Sequence, residues 1–73
     1  MIELAFHKDV YAGEAVDAAV QTFARFAALE AVEGPSHWLV RVTGKSAARE
    51  RAVAGELANH ALGATAARRG ARR

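Results

Sequence analysis

Seventy-three residues with a mass of 7.7 kDa suit one small domain, with no room for two lobes and a cleft between them, so a large self-contained enzyme is not expected. Apolar residues make up 52% of the chain, or 38 of 73, but 19 of those are alanine, which leaves 19 larger side chains for a core. With no cysteine, disulfides and thiolate zinc sites are excluded, and so thin a core is expected to lean on oligomerisation or a partner protein.

Charge is unevenly spread. Residues 1–67 carry six basic residues (Lys8, Arg25, Arg41, Lys45, Arg49, Arg51) against eight acids, a balance of −2, and Arg68, Arg69, Arg72 and Arg73 then bring the total to +2. The high pI of 9.7 is therefore made by the end of the chain. A nucleic-acid-binding body should carry its basic stripe on the folded surface with aromatics between the charges, and this body has neither. Residues 1–67 read as one domain and 68–73 as a solvated basic tail, with a phosphate-touching arm as the alternative. The N-terminus shows no basic stretch ahead of an apolar run, and nowhere are there about 20 consecutive apolar residues, so the expectation is a cytoplasmic protein without a membrane span.

In chain order, Ile2–His7 alternates at period two and predicts a half-buried strand with Ile2, Leu4 and Phe6 inward. From Gly13 the period changes. Val16, Ala19, Val20, Phe23, Phe26 and Ala27 follow helical spacing and predict an amphipathic helix from Gly13 to about Ala28. Gly34-Pro35-Ser36 is a strong turn signal, and His37–Thr43 is β-branched and aromatic-rich, which predicts a strand. Leu29–Glu33 fits either a helix extension or a strand, and the tight turn favours an antiparallel hairpin with His37–Thr43. Ser46 can cap a second helix from Ala47 to about Ala67, which Gly55 and Gly63 weaken. The expected fold is α+β, a two-layer β-α-β-β-α sandwich with two helices on one face of a three-stranded sheet. Its other face and at least one edge stay open.

Several motifs fail as chemistry. Thr43-Gly44-Lys45-Ser46 sits between a strand and a helix, as in a phosphate-binding loop, but the glycine required five residues before Gly44 is Leu39, inside a strand. His7, His37 and His60 lack metal-ligand spacing and would need to converge with Asp9, Glu33 or Glu56. Ser36 and Ser46 lie in turns, and Arg49, Glu50, Arg51 and Glu56 read as a solvated helix face. No catalytic residue, metal or cofactor is expected. Trp38 is read as a core plug, with an exposed partner anchor as the alternative. If strand parity turns Trp38, Val40 and Val42 inward, Leu39 and Arg41 point outward, and Leu39 becomes an apolar residue on the open face.

Taken together, Phe6 and Asp9 leading to Tyr11, Glu14-Ala15, Ala18-Ala19 and Phe23, Leu39-Val40-Arg41-Val42-Thr43, and Glu56-Leu57-Ala58-Asn59 with Leu62 resemble the small HxsD-like proteins of the His-Xaa-Ser systems. The similarity spans residues 2–69, with Tyr11 and Glu56…Asn59 the most specific, and departs in the alanine-rich second helix and the arginine-rich end. What the resemblance implies is a non-catalytic accessory protein of ribosomal peptide maturation, acting beside radical-SAM enzymes, with no catalytic residues to carry over. The residues put forward for partner binding are Tyr11, Trp38, Leu39, Arg41, Glu56 and Asn59. Docking is expected on an open edge strand, either Ile2–His7 or the strand ending at Thr43. The same element order is also similar to the small dimerising subunit of the KEOPS tRNA-modification complex, which would turn Arg68, Arg69, Arg72 and Arg73 toward RNA. A structural homodimer is a further alternative.

Overall fold

The computed structural model describes residues 1–70, with side chains as far as Ala67; the second helix continues to Gly70, past its expected end near Ala67 and into the first three residues of the expected tail, whose arginine side chains and residues 71–73 lie outside the described residues. The chain runs β1 (Ile2–His7), α1 (Gly13–Phe23), β2 (Ala28–Glu33), β3 (His37–Thr43) and α2 (Ala47–Gly70). The strands form one antiparallel sheet in the order β1-β3-β2. Leu4 faces Val40 and Phe6 faces Trp38 across one ladder, and Ala31 faces Val40 and Val32 faces Leu39 across the other. The expected α+β fold is the observed one.

Period two decides the faces of this sheet. Phe6, Val40 and Val42 are buried under the helices, with Ile2, Leu4, Leu29 and Trp38 packed partly against them. α1 lies over β2 and β3, and α2 over β1 and β3. α1 adds Val16 and Ala19 to the core, and α2 adds Val53, Ala54, Leu57 and Ala61. Leu57, Val40 and Val42 are the largest fully buried side chains, each stabilising the fold by about 1.5–3 kcal/mol through removal from water. Phe6, Val16 and Val53 are nearly as deeply buried, and four alanines, Ala15, Ala19, Ala54 and Ala61, make up the rest of the core.

Two expectations are corrected. α1 ends at Phe23, five residues before the expected end: Phe26 N–H donates to Phe23 C=O in a turn, and Ala28 is already paired with Thr43. Phe26, expected on the inward stripe, is 47% exposed beside Phe23, because strand pairing from Ala28 pulls the chain out of the helix. Second, β3 is the central strand, with neighbours on both sides. The strand ending at Thr43 therefore has no open edge, and the free edges belong to β1 and β2.

The helix starts are held by contacts distant in sequence. Ser46 caps α2 as expected, its Oγ accepting the Arg49 N–H at 3.1 Å. Glu50, read from sequence as solvated, instead accepts the Gly44 N–H at 3.1 Å and the N-terminal ammonium at 2.7 Å. The ammonium, then the Gly44 amide, hold its carboxyl below the usual carboxylate range. Gly44 lies so close to this turn that a Cβ would sit 2.9 Å from Glu50 Cα and N. At the other end of α2, buried Thr65 accepts the Ala12 N–H at 3.2 Å, giving the backbone donor of the N-cap of α1 a partner that Ala15, three residues on, has no polar side chain to supply. Among the described residues no helix is long and apolar enough to cross a membrane.

These contacts separate the glycines by role. Gly55 has nothing within 4 Å of the place a methyl group would take, so Gly55→Ala should raise stability by about 0.5–1 kcal/mol, the helix-interior preference for alanine. Gly44→Ala should lower the melting temperature, because backbone atoms rather than a flexible side chain block the methyl; equal melting temperatures for the two variants would contradict this packing.

Candidate functional site

The open edges can be read bond by bond, because antiparallel strands exchange hydrogen bonds only at alternate pairs. Lys8 N–H donates to Ser36 C=O at 3.0 Å. The bonded pairs of the β1–β3 ladder are therefore Phe6–Trp38, Leu4–Val40 and Ile2–Val42, and the backbone groups of Glu3, Ala5 and His7 point away from the sheet. Gly34 N–H donates to His37 C=O at 2.8 Å. By the same alternation Val32–Leu39, Glu30–Arg41 and Ala28–Thr43 are bonded, and the backbone groups of Leu29, Ala31 and Glu33 point outward. The two ladders agree: β3 turns its even-numbered residues to β1 and its odd-numbered ones to β2.

The edge of β2 runs beside a groove. A cleft of about 220 Å³ between β2 and α1 is lined by Gly13, Val16, Asp17, Ala31, Glu33 and Trp38. Its floor is apolar, with Val16 buried and Trp38 half-buried. Trp38 lies against the backbone of α1, where a Cβ on Gly13 would meet the indole at 2.8 Å. Lys8 contacts two of the lining residues, its Nζ 5.6 Å from the centre of the indole and 2.7 Å from Glu33 Oε2. That hydrogen bond and the ammonium charge hold the Glu33 carboxyl below its ordinary range.

The opposite, open face of the sheet is ordered in rows. Arg41 donates to Glu3 at 3.1 Å and to Glu30 at 2.9 Å, which strengthens its hold on its proton, with Glu30 the larger influence. Ala5, Leu39 and Val32 form the next row. His7 and His37 then stack edge to face with ring centres 4.6 Å apart. The Asp9 N–H donates to His7 Nδ1 at 3.1 Å, so the proton of a neutral His7 ring sits on Nε2.

The six residues put forward from sequence fall on separate surfaces. Trp38 floors the groove, whereas Leu39 and Arg41 lie on the open face, as strand parity predicts. Tyr11 is half-buried in the β1–α1 connection, its ring 4.9 Å from Phe6 in an edge contact. Glu56 and Asn59 are exposed on α2. The partners of Trp38 in the groove, Gly13, Ala31 and the Lys8–Glu33 pair, carry no local signal of their own; the short hairpin turn is the one feature that could have placed Glu33 opposite Trp38. His7 and His37 meet through a pairing of distant strands that no local pattern announces. Among the described residues no group of three or more His, Asp or Glu side chains is placed to hold a metal ion. Comparisons with protein families, curated proteins and solved structures returned no match.

The Lys8–Glu33 pair can be tested by titration. Lys8→Ala should return the Glu33 carboxyl upward to the ordinary carboxylate range, followed by carboxyl carbon shifts in NMR. In the native protein the pair's contribution is present above that range and fades as pH falls through the depressed Glu33 pKa; an unchanged Glu33 titration in the variant would remove Lys8 as the cause.

Proposed function

We propose that this protein is a non-catalytic accessory protein in the maturation of a ribosomally made peptide, acting beside radical-SAM enzymes, and that it holds an extended peptide segment along β2. One observation carries the reading: the outward backbone groups of Leu29, Ala31 and Glu33 run beside an apolar cleft floored by Val16 and Trp38. An added strand bonds its backbone to such an edge, and alternate side chains of the added strand enter the adjoining pockets. Because outward-bonding residues of β2 turn their side chains to the helices, a peptide residue opposite Ala31 faces the cleft. The small Ala31 side chain leaves it room. The resemblance to the HxsD-like proteins supports the peptide as the partner. The RNA-directed alternative depends on Arg68, Arg69, Arg72 and Arg73, and within the body the Arg41 guanidinium is already engaged by two carboxylates.

A synthetic peptide of His-Xaa-Ser repeats, titrated against the single tryptophan's fluorescence, tests the reading. The native protein should bind with a change in Trp38 emission. Ala31→Pro should abolish binding, since it removes an outward N–H while the ladder to β3 stays intact. Gly13→Ala, which presses the indole into the cleft, should weaken binding several-fold, and Ala5→Pro on the other edge should not alter it. No binding by the native protein, or equal loss in the Ala31 and Ala5 variants, would overturn the proposal.

A further inference from the structure

We infer that β1 is a self-pairing edge, joining two copies of this chain antiparallel about a twofold axis at Ala5 into a continuous six-stranded sheet. This inference does not depend on the peptide reading, which concerns the opposite edge. Among the described residues no strand covers the outer side of β1, where Glu3, Ala5 and His7 direct their backbone groups. His7 C=O is already used within the chain, accepting from Val10 N–H at 3.0 Å and Tyr11 N–H at 2.9 Å. A twofold axis at Ala5 uses most of what remains, leaving only the Glu3 N–H opposite the occupied His7 C=O. Ala5 N–H meets the C=O of the partner's Ala5, and His7 N–H meets the C=O of the partner's Glu3, each bond occurring twice by symmetry.

Of the three outward-bonding residues on which the axis could fall, side-chain chemistry favours Ala5. An axis at Glu3 would oppose two carboxylates, and an axis at His7 would oppose two imidazoles, whereas the axis at Ala5 sets each Glu3 opposite the partner's His7. His7 Nδ1 is occupied by the Asp9 N–H, so the ring offers its Nε2–H to that carboxylate, of which Arg41 engages one oxygen, Oε2. The pairing joins two existing rows of the open face: His37 and His7 of one copy continue into the Glu3–Arg41–Glu30 row of the other, with a ring N–H donor facing a carboxylate acceptor at the junction. On the helical side Leu4 comes opposite the partner's Phe6. Leu62, 50% exposed, lies about 200° around α2 from His60, whose ring touches Phe23 of α1 at 5.8 Å. Leu62 thus looks out over the β1 edge, where a second copy would cover it.

Light scattering on the intact chain gives the first test. The native protein should show twice the mass of a single chain, Ala5→Pro should show the single-chain mass with an unchanged circular dichroism spectrum, and Ala31→Pro should remain double. Proline at Ala5 removes only an outward N–H, so folding and assembly separate. The register has its own test. His7→Glu places a carboxylate opposite the partner's Glu3 and should weaken the dimer about tenfold or more; the combined Glu3→His, His7→Glu swap restores opposite partners and should recover it. In a chain without cysteine, Ala5→Cys should crosslink to its partner on mild oxidation, because directly opposed Cα atoms about 5.5 Å apart suit a disulfide. A single-chain mass for the native protein from micromolar to millimolar concentration would overturn the inference. So would a dimer indifferent to both Ala5→Pro and His7→Glu.

Discussion

Everything distinctive about this domain depends on β3 being hydrogen-bonded on both sides. A central strand must send alternate residues left and right, and that alternation is tied to the alternation of side chains between the two faces. On β1 the residues that bond outward, Glu3, Ala5 and His7, show their side chains to the open face. On β2 the residues that bond outward, Leu29, Ala31 and Glu33, show theirs to the helices. The two edges of one small sheet therefore have different chemistry without any difference in backbone geometry: one is read among charges and imidazoles, the other beside an indole.

Around that strand the protein makes a stable domain from few large groups. Leu57, Val40 and Val42 hold the centre, while Ala15, Ala19, Ala54 and Ala61 complete burial with little volume each. A core of this kind gains little from each side chain and depends on close approach of backbones. Gly44 against Glu50 and Gly13 against Trp38 are places where that approach leaves no space for a methyl group. Polar contacts then fix the ends of the elements: Glu50 ties the N-terminus to the β3–α2 turn, and Arg41 ties the three strands together across the open face. Such exposed pairs are individually weak, and their effect here is to hold the order and register of the strands.

Much of the fold was legible in the sequence because it follows from local pattern. Period two gave β1 its observed limits, a β-branched and aromatic run gave β3 its own, Ser46 marked the start of α2, and the turn at Gly34-Pro35-Ser36 produced the β2–β3 hairpin. The end of α1 was not legible, since Phe23, Phe26 and Ala27 continue a helical spacing and the pairing of Ala28 with Thr43 overrides it. The edges were less legible still. Which strand sits in the middle is decided by the return of β1 onto β3, a contact between the two ends of the sheet-forming chain. Parity did place Trp38 inward and Leu39 outward. Whether either lay beside a free edge depended on strand order, so a cleft made by Trp38, Gly13 and Ala31 stayed invisible.

The contact between Thr65 and Ala12 spans 53 residues and joins the start of α1 to the far part of α2. A chain emerging from the ribosome can form the β2–β3 hairpin from neighbouring residues, but α1 stays without this partner until nearly the last described turn of helix has been made. Completion of this domain thus waits for α2. Until then the inner face of β1 and the apolar side of α1 lack the cover α2 provides, and the nascent chain carries them exposed to chaperones or to a neighbouring copy made on the same message.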